Sequence, residues 1–222
     1  MKKALLCIAL VLVICVSVSS LETENWLSLG VSLNSIFEDG DSIENMYMGS
    51  LGLGLGLYSF FNNSDFGVFV SIDLFLPVSN SLKNVYAPIT QLDFIIGPGY
   101  KYNINEKMNL HFAVGFNFEL ISLYRAGSGQ LRFQDSRMMF GIGVDAGFQY
   151  DLTGLIHLSG GIKLNFNFAN WITTESSIDE WTTAMRDSYG WVNDYAMFGV
   201  RPYVAIGIYS YGVMGFGKPA VY

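Results

Sequence analysis

No cysteine occurs after Cys15, and only 14% of the 222 residues are charged. The first absence removes disulfides, thiol chemistry and cysteine metal sites from everything downstream of that point. The second lies well below the roughly 25% of an average globular chain, while hydrophobic residues reach 51%. So many apolar groups with so few charges imply an exterior that partly meets lipid. Formal net charge is -7, and it becomes -9 if Lys2 and Lys3 are removed with the leader described next, a sign that excludes nucleic acid as a partner. Long apolar runs are also missing beyond the N-terminus, because each is broken within a few residues by Gly, Asn, Asp or Ser.

The N-terminal run has the order of a secretory signal: Met1, Lys2 and Lys3, then apolar Ala4 to Val18, then the small-residue site Val18-Ser19-Ser20. Its apolar part is shorter than the roughly 20 residues of a spanning helix. Residues 1–20 are therefore read as a signal peptide that carries off Cys7 and Cys15, and 21–222 as one domain. A lipoprotein signal ending at Cys15 is disfavoured by the bulky Ile14 before it.

What is present instead is a period of two. In Ser50 to Phe60, Leu51, Leu53, Leu55 and Leu57 alternate with Gly52, Gly54 and Gly56. From Met108 to Leu120 the even positions are bulky and apolar, and the odd ones are Asn109, His111, Ala113, Gly115, Asn117 and Glu119. Similar segments run from Leu27 to Asn34, Tyr47 to Ser59, Phe66 to Leu76, Thr90 to Tyr102, Met108 to Ser122, Arg137 to Tyr150, Leu155 to Phe168 and Ala196 to Tyr209. Eight such strands suit an antiparallel sheet closed on itself, which abolishes its edges. The charged residues within them, Asp73, Asp93, Lys101, Glu119, Arg137, Asp145, Lys163 and Arg201, all oppose the bulky apolar set in parity. The reading is an all-β, eight-stranded, up-and-down transmembrane barrel, with hydrocarbon outside, a charge network in the lumen and glycines leaving room within it.

Links after the first, third, fifth and seventh strands are long, and those after the second, fourth and sixth are short, which predicts periplasmic turns and four surface loops. The short links carry turn chemistry: Asn62-Asn63-Ser64-Asp65, Asn103-Ile104-Asn105-Glu106 and Asp151-Leu152-Thr153-Gly154. Two aromatic girdles are expected, Tyr100, Tyr102, Phe148 and Tyr150 at the turn end and Tyr47, Phe140, Phe166 and Phe168 at the loop end. Pro98 and Pro202 fall inside strands, so a bulge at Gly97-Pro98-Gly99 and a local break near Arg201 are predicted. Blurred alternation from Ser210 to Tyr222 leaves room for a last strand shifted toward the C-terminus.

Over Leu27 to Tyr209, with the terminal aromatic Tyr222, the pattern resembles the small outer-membrane barrels of Gram-negative and spirochaetal bacteria, of the OmpA, OmpX and OmpW kind, and the treponemal eight-stranded set. The resemblance implies export to the outer membrane, with its lipid and the barrel-assembly machinery as partners and Tyr222 as an assembly signal. OmpW-like proteins imply a hydrophobic small-molecule path, from which this ionic interior departs.

Four acids and four bases in the lumen suggest a salt-bridged plug, or a constricted polar path for small solutes. His111 and His157 point inward without a nucleophile at a telling spacing, so both are read as structural and no enzyme is inferred. In the link Ala169 to Tyr195, the capping box Ser177-Ile178-Asp179-Glu180 predicts a short helix presenting Ile178, Trp181 and Met185 and ended by Gly190. Candidate surface residues are Glu38, Asp39, Asp41 and Glu44 in the first loop, with Trp171, Trp181 and Trp191 in the fourth. The fourth loop also carries Glu175, Asp179, Glu180, Asp187 and Asp194 against one arginine, and the third carries Arg125 and Arg132. Glu38-Asp39-Gly40-Asp41 lacks the ligand spacing of a calcium loop, so no metal or cofactor is expected. The function expected is a porin-like or structural outer-membrane protein with at most a narrow polar path. The alternative is a barrel mount whose loops bind a host or envelope ligand.

Overall fold

The computed structural model describes residues 22–38, 46–61, 64–80, 86–126, 132–177, 185–192, 195–211 and 215–216. The predicted leader, Asp39, Asp41, Glu44, Trp181 and Tyr222 lie outside these residues. The elements are β1 (Glu22–Glu38), β2 (Met46–Phe60), β3 (Phe66–Asn80), β4 (Tyr86–Asn105), β5 (Met108–Ala126), β6 (Arg132–Asp151), β7 (Ile156–Ser177), β8 (Met185–Val192), β9 (Tyr195–Tyr211) and β10 (Gly215–Phe216). Neighbours pair antiparallel from β1 to β7, and β9 closes the sheet by pairing with both β1 and β7. β8 and β9 lie along the same partner, β8 opposite Asn170 to Ser176 and β9 opposite Ile156 to Asn167. The closed barrel therefore has eight strands, β8 and β9 together taking the eighth place beside β7.

Alternation sorts the two faces as the sequence predicts. Leu27, Leu29, Leu33, Leu51, Leu53 and Leu55 are exposed on the outer wall, with Phe112, Val114, Phe116, Val204, Ile206 and Ile208 around it. Leu57 departs from its row, being buried together with its Cα partner Val70. Of the expected girdles, Tyr102, Phe148 and Tyr150 are exposed toward the turns, and Tyr47, Phe166 and Phe168 toward the loops.

Strands run further than the alternation indicates. A spanning strand needs about 9 to 11 residues, whereas β4 has 20, β6 20 and β7 22. At the loop end the strands reach past their predicted limits, β1 to Glu38, β3 to Asn80, β5 to Ala126 and β7 to Ser177. The helix predicted from the capping box falls largely outside the described residues, which omit Ile178, Asp179, Glu180 and Trp181; of its other positions, Ser177 ends β7, and Met185 and Gly190 belong to β8. Pairing with β6 on one side, and with β8 from Asn170 to Ser176 on the other, satisfies the backbone of β7 up to the start of the capping box. The β-branched run Ile172-Thr173-Thr174 favours the same outcome.

Proline has a simpler effect than a bulge at one site and the expected one at the other. Pairing of β4 with β5 skips Gly97 and Pro98 but resumes at Gly99 and Ala113 in the same register, so no bulge forms there. The missing N–H removes a rung without adding a residue. Pairing of β1 with β9 is likewise interrupted between Gly30 opposite Tyr203 and Leu33 opposite Val200, beside Pro202. The eighth strand is not displaced, since β9 ends at Tyr211 and β10 folds back on it.

Candidate functional site: the barrel lumen

All eight charged residues singled out by parity are buried inside the barrel. Two acids join them, Glu24 and Asp151, which lie beyond the strand limits drawn from the sequence. Among the described residues the lumen thus holds six acids against four bases, not four against four. The groups are arranged in layers along the axis.

At the turn end, Lys101 Nζ lies 3.3 Å from Glu24 Oε1 and 4.3 Å from the centre of the Phe60 ring. The Tyr209 hydroxyl donates to Asp151 and accepts from Gln149, and its ring packs against His157 at 4.8 Å. Above this lies an aromatic layer. Trp26 stacks on Tyr58 at 5.3 Å and on His111 at 5.9 Å, and Phe69 meets Tyr58 at 4.7 Å. Asp145 sits in this layer, accepting from the Tyr58 hydroxyl at 2.9 Å and the Tyr203 hydroxyl at 3.4 Å, with His111 Nε2 3.2 Å from Tyr203. Two tyrosine hydroxyls, rather than a base, thus face this buried carboxylate most closely.

The mid-barrel layer is ionic. Lys163 Nζ contacts Asp73 Oδ2 at 2.5 Å. Arg201 bridges Asp93 and Glu119, the latter at 2.9 Å, while its Nε donates to Ser32 at 3.1 Å. Glu119 also accepts from Gln91 at 2.6 Å, Asn165 at 2.6 Å and Asn167 at 2.9 Å. Asn34 and Ser50 reach Gln91 from β1 and β2. Buried charges persist only when opposed and hydrogen-bonded in this way. At the loop end an apolar layer of Ile36, Met48, Ile121, Met139 and Met197 follows, each at most 2% exposed. Arg137 is buried at that level, its Cα opposite Ile121.

The inward glycines do not leave a channel. A Cβ on Gly56 would fall 2.1 Å from the Trp26 indole, one on Gly54 1.8 Å from Asp73 Oδ1, and one on Gly52 2.3 Å from the Phe75 ring. Each glycine is the hollow into which a large neighbour lies. The cavity beside Asp73, Lys163 and Arg201 measures about 10 Å³, space for about one water molecule.

The surface residues separate. Glu38 ends β1, and Trp171 on β7 faces Trp191 on β8 as Cα partners, so neither tryptophan belongs to an open loop. Neither placement was readable in the local sequence, since Trp171 to Ser177 carries no alternation. The lumenal aromatics, Trp26, Tyr58, Phe69, Tyr203 and Tyr209, were not anticipated, although they share the parity of the inward glycines and charges.

Comparison with known proteins places this architecture. No curated protein matches the sequence. Among solved structures, OprG of Pseudomonas aeruginosa is similar with a TM-score of 0.56 at 12% identity, covering 89% of this chain and 99% of that one. Neisserial surface protein A gives 0.52 at 9% identity, covering 83% and 96%. A major outer membrane protein of Thermus thermophilus gives 0.51 at 12% identity, covering 82% and 98%. At these identities the likeness is one of fold alone. The sequence also matches the family model for the outer membrane protein beta-barrel domain over residues 8–186, most of the chain. Lipid-facing leucines, a closed eight-stranded wall and that match together make this chain a member of the outer-membrane β-barrel family, resident in the bacterial outer membrane.

Proposed function

We propose that the protein is a closed outer-membrane barrel that passes no solute through its lumen and works at its loop end, as a mount for a surface-exposed β extension. The observation that carries this reading is the filled interior. Ion pairs, stacked aromatics and an apolar layer succeed one another along the axis, and the cavity beside Arg201 holds about one water. β6, β7 and β8 offer the extension, on which Trp171 and Trp191 lie opposite each other and a host or envelope ligand would dock. Residues 1–20 act as the export signal. No step of catalysis is assigned to His111, which is enclosed by Trp26, Tyr58 and Tyr203.

A second reading, a narrow ion path, draws on the succession of polar side chains from Lys101 through Lys163 to Asn167. Planar bilayers containing the pure, refolded full-length protein separate the two. Silence across a wide voltage range supports the closed barrel. Reproducible unit steps with an ion preference altered in Arg201→Met support the path and sink the first reading.

A further inference from the structure

The outer wall carries a feature that the lumen does not explain. Two hollows follow one another along β9, β1, β2 and β3. The first, about 690 Å³, is lined by leucines of three strands, Leu29, Leu51 and Leu74 among them, and closed at β9 by Pro202 and Val204. The second, about 550 Å³, lies toward the loop end, where the Ser79 hydroxyl lies over Gly49 and Ser35 and Tyr47 line the wall beside it. Among the described residues they share no lining residue but are neighbours along the wall: Val31 is followed outward by Leu33 on β1, Leu51 by Gly49 on β2 and Pro202 by Val200 on β9. The interrupted rungs between β1 and β9 fall along this course.

Its chemistry changes along its length. The first hollow is apolar, while the second brings three hydroxyls into its lining, and neither is lined by a charged side chain among the described residues. From Leu29 to Ser35 the strand advances about 20 Å at about 3.3 Å per residue. With the usual tilt of about 40° that is a depth of about 15 Å, half of the hydrocarbon thickness of a bilayer. A groove one leaflet deep, apolar within and hydroxyl-lined at the surface, has the dimensions of a membrane lipid. Among the described residues its polar end offers neutral hydroxyls and no cation to an anionic head group, and so favours a neutral one. We propose that this groove binds one glycolipid of the loop-side leaflet, its acyl chain along Leu29, Leu51 and Val204 and its sugar against Ser35, Tyr47 and Ser79.

The full-length protein is reconstituted into phosphatidylcholine nanodiscs with equal amounts of monogalactosyl diacylglycerol and phosphatidylglycerol, and retained lipid is read by native mass spectrometry. One galactolipid is expected per barrel, held about tenfold more tightly than phosphatidylglycerol, as two or three net hydroxyl contacts would give. Val204→Trp fills the apolar hollow and abolishes retention, whereas Val144→Trp elsewhere on the outer wall leaves it intact. The pair Ser35→Ala with Ser79→Ala, which leaves the groove wall unfilled, removes the preference for the sugar. Heat-dependent gel mobility checks folding of every variant. Absence of a retained lipid, equal retention of both lipids, or equal loss in Val204→Trp and Val144→Trp overturns the proposal.

Discussion

Replacing Lys163 by Met tests whether the mid-barrel ions are held by one another. The ammonium touches Asp73 at 2.5 Å, and both side chains are at most 5% exposed. Met matches the length of the stem and keeps a soft contact with the Tyr203 ring, 5.3 Å from the native ammonium. The variant therefore removes mainly the charge, leaving the Asp73 carboxylate enclosed beside Gly54 and Ser28. Removing one member of a buried pair costs about 3 to 5 kcal/mol, most of it the penalty of the abandoned charge. Adding Asp73→Val removes that charge as well, so the double variant recovers at least about 2 kcal/mol relative to Lys163→Met. Urea unfolding of the refolded protein in lipid vesicles, followed by tryptophan emission, measures both quantities. A Lys163→Met variant within about 1 kcal/mol of the parent, or a double variant as costly as the two singles combined, would refute the pairing.

Three further substitutions probe other layers. Gly56→Leu drives a side chain into the space of the Trp26 indole, and the overpacking is expected to cost about 1 to 3 kcal/mol or more and to alter the near-ultraviolet circular dichroism. Leu53→Arg places a cation on the hydrocarbon face and destabilises by about 2 to 4 kcal/mol in vesicles; a negligible change there contradicts the assignment of that face to lipid. Met139→Ala combined with Met197→Ala empties the loop-end layer, costing about 2 to 5 kcal/mol per site in unfolding titrations, and bilayers should still remain silent because the ionic layer beneath is intact.

The faces of the barrel were legible because strand parity is a local property: Asp93, Glu119 and Arg201 each disagree with their apolar neighbours, and each is buried. Strand ends were less so. Glu24 and Asp151 sit where alternation fades into polar sequence, and only pairing across the sheet, Glu24 opposite Tyr58 and Asp151 opposite His157, shows that the ladder continues. The far end of β7 was illegible for the opposite reason. Thr173 to Ser177 carry no alternation, and their strand is held by long-range partners on β6 and β8 that no window of local sequence contains. Lumen occupancy was hidden similarly, since Gly56 reads as empty space until Trp26 is known to lie across from it. Parity states which way a residue points but not what fills the other side.

The mid-barrel ions also set the order in which the wall can be completed. Arg201 is on β9, but its partners Ser32, Asp93 and Glu119 are on β1, β4 and β5, the first of them 169 residues earlier in the chain. A half-formed barrel that has already shed its water there would hold an isolated guanidinium and two isolated carboxylates. Seam closure and dehydration of the interior are thereby tied into one concerted event, and partly closed intermediates are kept wet until the first and last strands meet.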